Sequence, residues 1–334
     1  MPALAVADAL RADGAQVVFV GGERAERELV PAAGYRLEKL PVAGLPRRAP
    51  LRAARAALIE ARAVALARAL LRQLAPAAVL GCGGYVAAPV GLAAVLVRAP
   101  LVLAEADSHL GLANRLLAPF ARRVCLAFPI AGRDGARYRV TGRAVPPPAR
   151  DRAAARARFG IGEHETCVLV FGGSLGARSI NMAALEAFAD ADFHVLHAAG
   201  ERNLAQLRPP GPHYDLRGYI GEFAEALCAC DLVVARAGSS VFEICAAGKP
   251  SVLIPYPHAT ADHQRQNARH LERAGAAVVI PDEELSASRL AQEVARLLSD
   301  PAALEAMGRA AASLARPQAA HEIAAEVLAV ARAA

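Results

Sequence analysis

Apolar residues along this chain alternate between two patterns. Short runs such as VVFV, LVLA, CVLVF and LVVA are separated by longer stretches where apolar positions recur every third or fourth residue. The runs read as buried strands, the longer stretches as amphipathic helices. The chain opens in a helix. Pro2 suits a first turn, Leu4, Val6, Ala7 and Leu10 form its apolar stripe, and Gly14 stops it. Val17–Val20 is a strand, Glu23–Ala33 a helix, Arg36–Val42 extended, and Pro50–Leu74 a long Arg-rich helix. Ala77–Leu80 is a strand that runs into GCGGY, followed by a helix over Val86–Val97. A strand at Leu101–Ala104, a helix over Ser108–Leu117 and short strands at Val124–Ala127 and Arg139–Thr141 complete the first half.

A run of prolines, Pro146–Pro148, is the best linker candidate, and after it the alternation restarts. Thr166–Phe171 is a strand that leads into GGSLGAR and a helix to Ala189. Strands near Phe193–His197, Tyr214–Arg217, Leu232–Ala235, Ser251–Ile254 and Ala276–Ile280 alternate with helices, and from Ser286 onward the pattern is helical. Strand–helix alternation of this kind predicts parallel sheets covered by helices on both faces. The expected fold class is α/β, with two doubly wound domains of about 150 residues each. Ligands of such folds sit at the carboxyl ends of strands, hence in a cleft that the domains face.

Composition changes this picture little. The 334 residues are 55% hydrophobic, enough for two cores, and the net charge of +6 permits anionic ligands or surfaces without demanding them. The six cysteines have no metal-ligand spacing; Cys228 and Cys230 are one residue apart, unlike a CxxC pair. Buried free thiols are the expectation. No signal peptide or apolar run of spanning length appears. On the long helix, Arg55, Arg62, Arg68 and Arg72 share one half and Ile59, Val64, Leu66, Leu70, Leu71 and Leu74 the other. A surface helix packed on a sheet explains that pattern; a basic helix lying on anionic lipid, with Arg47, Arg48, Arg52, Arg122 and Arg123 added, is the alternative.

The chemistry concentrates at strand ends. Gly81–Tyr85, Gly172–Arg178 and the turn at Gly238, Ser239 and Ser240 each combine glycine with a following helix, where unpaired N–H groups favour an anion. An ordinary βα turn with a capping serine explains any one of them equally well. None has P-loop or GxGxxG spacing. Taken together with Glu243 one turn into a helix, able to bind paired ribose hydroxyls, and with a polar loop carrying His258, Asp262, His263 and Gln264, they point to a nucleotide-diphosphate ligand. Glu105, just after a strand, is the candidate base, with Asp107 as a helix cap and a partner-bound Glu105 as the plainer readings. His194, His197, His270 and His321 fall in regular elements and read as structural.

The combination PALAVADAL, GCGGYVAAPVGLAA, EADSHLGLANRLL, GGSLGARSIN, RAGSSVFEICAAGKP and DHQRQNA resembles the MurG family across essentially the whole chain. That family has the GT-B fold and moves N-acetylglucosamine from UDP onto undecaprenyl-pyrophosphoryl-N-acetylmuramyl-pentapeptide (lipid I to lipid II). The resemblance implies an inverting hexosyltransferase of peptidoglycan synthesis. Its partners would be UDP-N-acetylglucosamine, undecaprenyl-linked lipid I and an anionic membrane surface, with no nucleic acid, no cofactor and no metal. It would sit peripherally on the cytoplasmic face of the cell membrane. Residues 1–145 would form the acceptor and membrane-associating domain, with a C-terminal helix at 318–334 packing back on it, and 146–317 the UDP-GlcNAc domain. Ser174 would contact phosphate, the Ile220 backbone would read uracil, and Ser239, Ser240, Val241, Phe242 and Glu243 would line the nucleotide, Glu243 on the ribose. Gln264, with His263 beside it, would contact the sugar, and Gly83, Gly84 and Tyr85 the acceptor pyrophosphate.

Departures from the family pattern accompany these matches. The family opens with a central strand and a glycine-rich loop ending in its proposed catalytic His, ahead of the segment matched by Pro2–Ala5. The expectation is therefore a first domain lacking that strand, with a wrongly assigned start as its origin, and Glu105 as the remaining base or orienting group. Asp107 stands where the family has a donor-side Asn, and Pro146 where it has a uracil-side Arg, a place Arg143 would take. The SSVFE turn is one residue shorter than usual. Another UDP-sugar enzyme of the same fold, or a non-catalytic UDP-sugar-binding membrane protein, are the alternative functions.

Overall fold

The computed structural model describes residues 2–23, 26–42, 50–259 and 262–333, and along 50–57 the backbone only. The chain forms two compact units, Met1–Val145 with Arg316–Ala334, and Pro146–Ala315.

The second unit is built on six parallel strands: β7 (Cys167–Phe171), β8 (His194–Ala198), β9 (Tyr214–Arg217), β10 (Leu232–Ala235), β11 (Ser251–Leu253) and β12 (Ala277–Val279). Their order is β12-β11-β10-β7-β8-β9. The strands run outward in both directions from the central β7–β10 pair, where Leu232 faces Val168 and Ala235 faces Phe171. That reversal is a topological switch point, and it leaves a crevice between the turns that follow the two strands. The interior strands are apolar on both faces because helices cover both: β7 and β10 are fully buried. Val168, Val170, Val234, Val252, Ile180, Phe188, Leu290 and Leu297 share one core. The helices that matter below are α7 (Arg178–Ala187), α8 (Glu201–Leu204), α10 (Val241–Ala246) and α11 (His263–Arg273).

In the first unit the parallel strands fall into two sheets. β1 (Val18–Gly21) pairs with β2 (Arg36–Lys39), and β3 (Val79–Gly81), β4 (Leu101–Glu105), β5 (Arg123–Leu126) and β6 (Tyr138–Val140) form the other. Among the described residues β1 and β3 each keep an edge with no partner strand. Helix α4 (Gly84–Val97) packs on both β1 and β3, so one layer spans the two sheets. Cys82, directly after β3, is a free and exposed cysteine. The other five cysteines are free and buried.

Helix α14 (Ala319–Arg332) packs on α1 (Pro2–Ala12), and its Glu326 pairs with Arg123 at 2.9 Å and Arg139 at 3.6 Å. Helix α3 (Pro50–Leu74) packs along α4 through the apolar half that the sequence pattern marks: of Ile59, Val64, Leu66, Leu70, Leu71 and Leu74 only Leu66 is exposed. Ala63, Ala67 and Leu71 are buried, while Leu66 is 41% exposed. Alanines at i, i+4 spacing let the two helix backbones approach closely, so small residues win the packed stripe. Arg62, Arg68 and Arg72 are exposed as expected; Arg47 and Arg48, and the side chains of Arg52 and Arg55, lie outside the described residues.

Candidate functional site

The switch point of the second unit gathers most of the sequence candidates. After β7 the chain makes the turn Gly172–Ala177 before α7 begins at Arg178. Gly173 and Gly176 have φ of +96° and +73°, and the Gly176 N–H donates to the Gly173 carbonyl at 2.9 Å. Ser174 lies exposed at the crest of this turn. After β10 comes Arg236–Ser240 and then α10. Ser240 stands at the N-cap, but its side chain makes no capping bond, so the plain capping reading does not hold. Helix α10 has only six residues, so its dipole is small, and the stronger anion position is the turn before the ten-residue α7. Glu243 lies in the first turn of α10. Ile220 follows β9 and is buried, with Tyr219 exposed beside it.

Helix α11 is anchored to the β10 turn. Asn267 is buried and donates from Nδ2 to the Ala237 carbonyl at 3.0 Å. Gln264 accepts the Tyr256 N–H at 3.0 Å, and its Nε2 lies 3.7 Å from where a Gly238 side chain would begin. Gln264 is thereby held beside the turn that carries Ser239 and Ser240. His263 starts the helix directly before it.

Beneath these turns sits Arg236, 8% exposed. Its guanidinium donates to the carbonyls of Ile254 and Pro255 at 3.2 Å, to Asp282 Oδ1 at 2.6 Å and to Ser179 Oγ at 2.8 Å. Ser179 Oγ itself donates to Asp282 at 2.8 Å. One side chain thus ties together the C-terminal ends of β10, β11 and β12 and the start of α7. A buried guanidinium with all these acceptors, and Asp282 as its counter-charge, is a satisfied one. Arg236 lies within the RAGSS motif, where the sequence marks no role for it, and Asp282 and Ser179 carry no local signal at all.

In the first unit the strand ends carry a second group. Gly83 and Gly84 have φ of +76° and +77° and lead into α4, with Tyr85 in its first turn. Glu105, at the end of β4, is 8% exposed. It accepts the N–H groups of Ala106 at 2.9 Å and Asp107 at 3.1 Å on Oε1, and those of Gly111 at 2.8 Å and the Asn114 amide at 2.9 Å on Oε2. This corrects the helix expected from Ser108. The carboxylate captures backbone donors that a helix would use, so 106–111 is a loop and α5 spans only Leu112–Leu117. Asp107 consequently caps nothing, since Gly111 is the N-cap. The Asn114 Nδ2 lies 3.7 Å from where a Gly83 side chain would begin, so the Glu105 loop supports the glycine pair. Arg143 belongs to this unit, two residues before its boundary at Val145.

Residues 1–126 match the glycosyltransferase family 28 N-terminal domain and residues 167–323 its C-terminal domain. A protein of Rubrobacter xylanophilus named UDP-N-acetylglucosamine--N-acetylmuramyl-(pentapeptide) pyrophosphoryl-undecaprenol N-acetylglucosamine transferase is 41% identical, over 98% of this chain and 99% of its own. The chain belongs to the MurG family. A relative of the same name from Alkalilimnicola ehrlichii is 44% identical over 97% of this chain and 93% of its own. The crystal structure of MurG from Acinetobacter baumannii superposes with a TM-score of 0.79 at 27% identity, covering 98% of this chain and 95% of that one. The protein is accordingly a glycosyltransferase with the two α/β domains of the GT-B class. Among the described residues no helix is long and apolar enough to cross a membrane, and no cluster of His, Cys, Asp or Glu could hold a metal ion.

Proposed function

We propose that this protein transfers N-acetylglucosamine from UDP-N-acetylglucosamine to the C4 hydroxyl of undecaprenyl-pyrophosphoryl-N-acetylmuramyl-pentapeptide. The second unit holds the donor at its switch point. The single observation that carries this is the convergence of the Ser174 turn and the Arg236–Glu243 segment after the adjacent central strands β7 and β10. Ser174 and the N–H groups of its turn take the diphosphate. Glu243 takes the ribose hydroxyls, Ile220 the uracil edge through its backbone, and Gln264 the sugar, with His263, Ser239, Ser240, Val241 and Phe242 lining the nucleotide.

In the reaction the acceptor oxygen attacks the anomeric carbon, the bond to the UDP oxygen breaks, and configuration inverts. The acceptor proton leaves to a base, and negative charge grows on the departing diphosphate. Fixed donors aimed at that charge are the largest contribution a site of this kind makes. Glu105 has all its strong donors already in place, so of the roles open to it the orienting one fits best. It holds the 106–111 loop and Asn114 of α5, whose amide lies beside Gly83 in the proposed cradle of the acceptor pyrophosphate, Gly83, Gly84 and Tyr85.

The first unit also presents a surface suited to a membrane face. Adjacent helices α4 and α5 each expose an i, i+4 pair, Leu92 with Leu96 and Leu112 with Leu116, and Phe120 follows at 62% exposure. Exposed Arg98, Arg115 and Arg122 flank them. An apolar patch rimmed by arginines fits a peripheral site on anionic lipid, at the cytoplasmic face where the donor is available. Lipid I and UDP-[14C]GlcNAc incubated with the purified chain should yield labelled lipid II; labelled product with another acceptor and none with lipid I would overturn this function.

A further inference from the structure

The donor-phosphate turn is not free-standing. It is interlocked with the turn that joins β8 to α8, and a single amide closes the lock. Asn203, half-buried at the third position of α8, donates from Nδ2 to the Leu175 carbonyl at 3.2 Å and to the Ala199 carbonyl at 2.8 Å. A side chain at Gly176 would land on the Ala199 carbonyl oxygen and on Asn203 Nδ2, so only glycine lets the two backbones approach this closely. The approach is mutual: a side chain at Gly200 would begin 2.5 Å from the Leu175 carbonyl oxygen.

The peptide between Leu175 and Gly176 is therefore pinned at both ends. Its carbonyl is held by Asn203, and its N–H donates to the Gly173 carbonyl at 2.9 Å. With that plane fixed, the preceding Gly173–Leu175 segment cannot rotate without breaking a bond, and Ser174 stays at the crest. Behind the lock runs a buried polar chain. Asn181 of α7 donates to the same Ala199 carbonyl at 2.9 Å and faces His197 Nε2 at 3.1 Å, while His197 Nδ1 lies 2.7 Å from the Tyr214 hydroxyl. Because Asn181 Nδ2 is spent on Ala199, its Oδ1 must accept, which puts the imidazole proton on Nε2 and makes Tyr214 the donor to Nδ1. Every group in the chain has one direction available to it.

We propose that Asn203 is a positioning residue of the donor site: it holds the Leu175–Gly176 peptide so that the turn meets the donor diphosphate ready-formed. This rests on the assignment of the donor to the switch point. Preorganised donors bind an anion without first being ordered, so the cost of losing the lock falls on phosphate recognition and not on the nucleoside.

The experiment measures binding of UDP and of uridine to the full-length chain by ligand-observed NMR titration, with Asn203→Ala, Asn203→Asp and Ser174→Ala alongside the parent. Asn203→Asp keeps the size and loses the N–H donors, so it carries the test if Asn203→Ala does not fold. The expected result is a UDP Kd raised about tenfold in both Asn203 variants with uridine unchanged, and a parallel rise in donor KM without change in acceptor KM. Equal losses for UDP and uridine would mean a general structural role, and unchanged UDP affinity would mean no role; either overturns the proposal. If Ser174→Ala also leaves UDP binding unchanged, the donor assignment itself fails. If Ser174→Ala weakens UDP while the Asn203 variants do not, only the positioning role is lost.

Discussion

The two glycine turns, Gly172–Ala177 in one unit and Gly81–Tyr85 in the other, are alike in sequence and unlike in construction. The first is packed from behind: the Asn203 amide and the Ala199 carbonyl lie against it. Among the described residues the second is open: a side chain at Gly84 would meet nothing within 4 Å, and one at Gly83 the Asn114 amide at 3.7 Å. A packed turn suits a small rigid diphosphate whose transition-state charge must be met by fixed donors. An open turn suits a large lipid-linked acceptor that shapes part of its own site. Glycine after a strand therefore marks an anion site only in outline; the partners behind it decide whether the site is ready-formed.

The largest effect that separates the two turns comes from adding a methyl group to each. Gly176→Ala should cost roughly 3 kcal/mol or more, since overpacking against the Ala199 carbonyl adds to the left-handed φ. Gly84→Ala meets no atom of the described residues within 4 Å and should cost about 1–2 kcal/mol from φ alone. Urea unfolding of full-length variants ranks them, and equal losses would erase the distinction drawn here.

A second effect of comparable size depends on pH. Burial pushes His197 down to about 4 from the ordinary value of 6.5, so the ring behind the first turn is neutral. Its folded value lies below its unfolded one, so its full contribution is present above pH 6.5 and is lost as pH falls toward 4. The loss should approach about 3 kcal/mol. In His197→Gln, urea midpoints should fall less between pH 7 and pH 4.5 than in the parent. An identical fall would remove His197 from the account. In the Glu105 loop, by contrast, Asn114→Ala should act locally. It withdraws one donor from the carboxylate, costs about 1–3 kcal/mol and raises the acceptor KM without moving the donor KM.

Much of the framework was legible in the sequence. Apolar runs mark the interior strands such as β4, β7 and β10, because a parallel strand covered on both faces has no polar positions to confuse the pattern, while β2, β6 and β9 carry charged residues. The glycine turns, Glu243 and Gln264 stand out as candidates because their signal is local, and the structure puts Glu243 in the first turn of α10 and Gln264 beside Gly238. What could not be read lies in partners far apart along the chain. Asn203 reaches Leu175 across 28 residues, Arg236 reaches Asp282 across 46 and Ser179 across 57. Nothing local marks an amide that will meet a carbonyl on another turn. Glu105 shows the opposite failure: a helical pattern from Ser108 was overridden by one side chain taking the backbone donors. On α3 the pattern of large apolar residues marks the packed half, and what it leaves out is that Ala63 and Ala67 share the buried positions with Leu71.

The smallest predicted effect concerns the membrane surface. Leu116→Glu with Phe120→Glu should shift partition onto phosphatidylglycerol vesicles by a few fold at low salt, while UDP binding stays as it was. Unchanged partition would move the membrane face elsewhere on the first unit.

The central claim is that the donor nucleotide sits at the β7–β10 switch point with its ribose on Glu243. Isothermal titration of UDP-N-acetylglucosamine into the full-length chain and into Glu243→Ala tests it most directly. The account predicts a Kd raised roughly 10- to 100-fold in the variant, the loss of a hydrogen-bonded charged group. The same Kd for both proteins would contradict it.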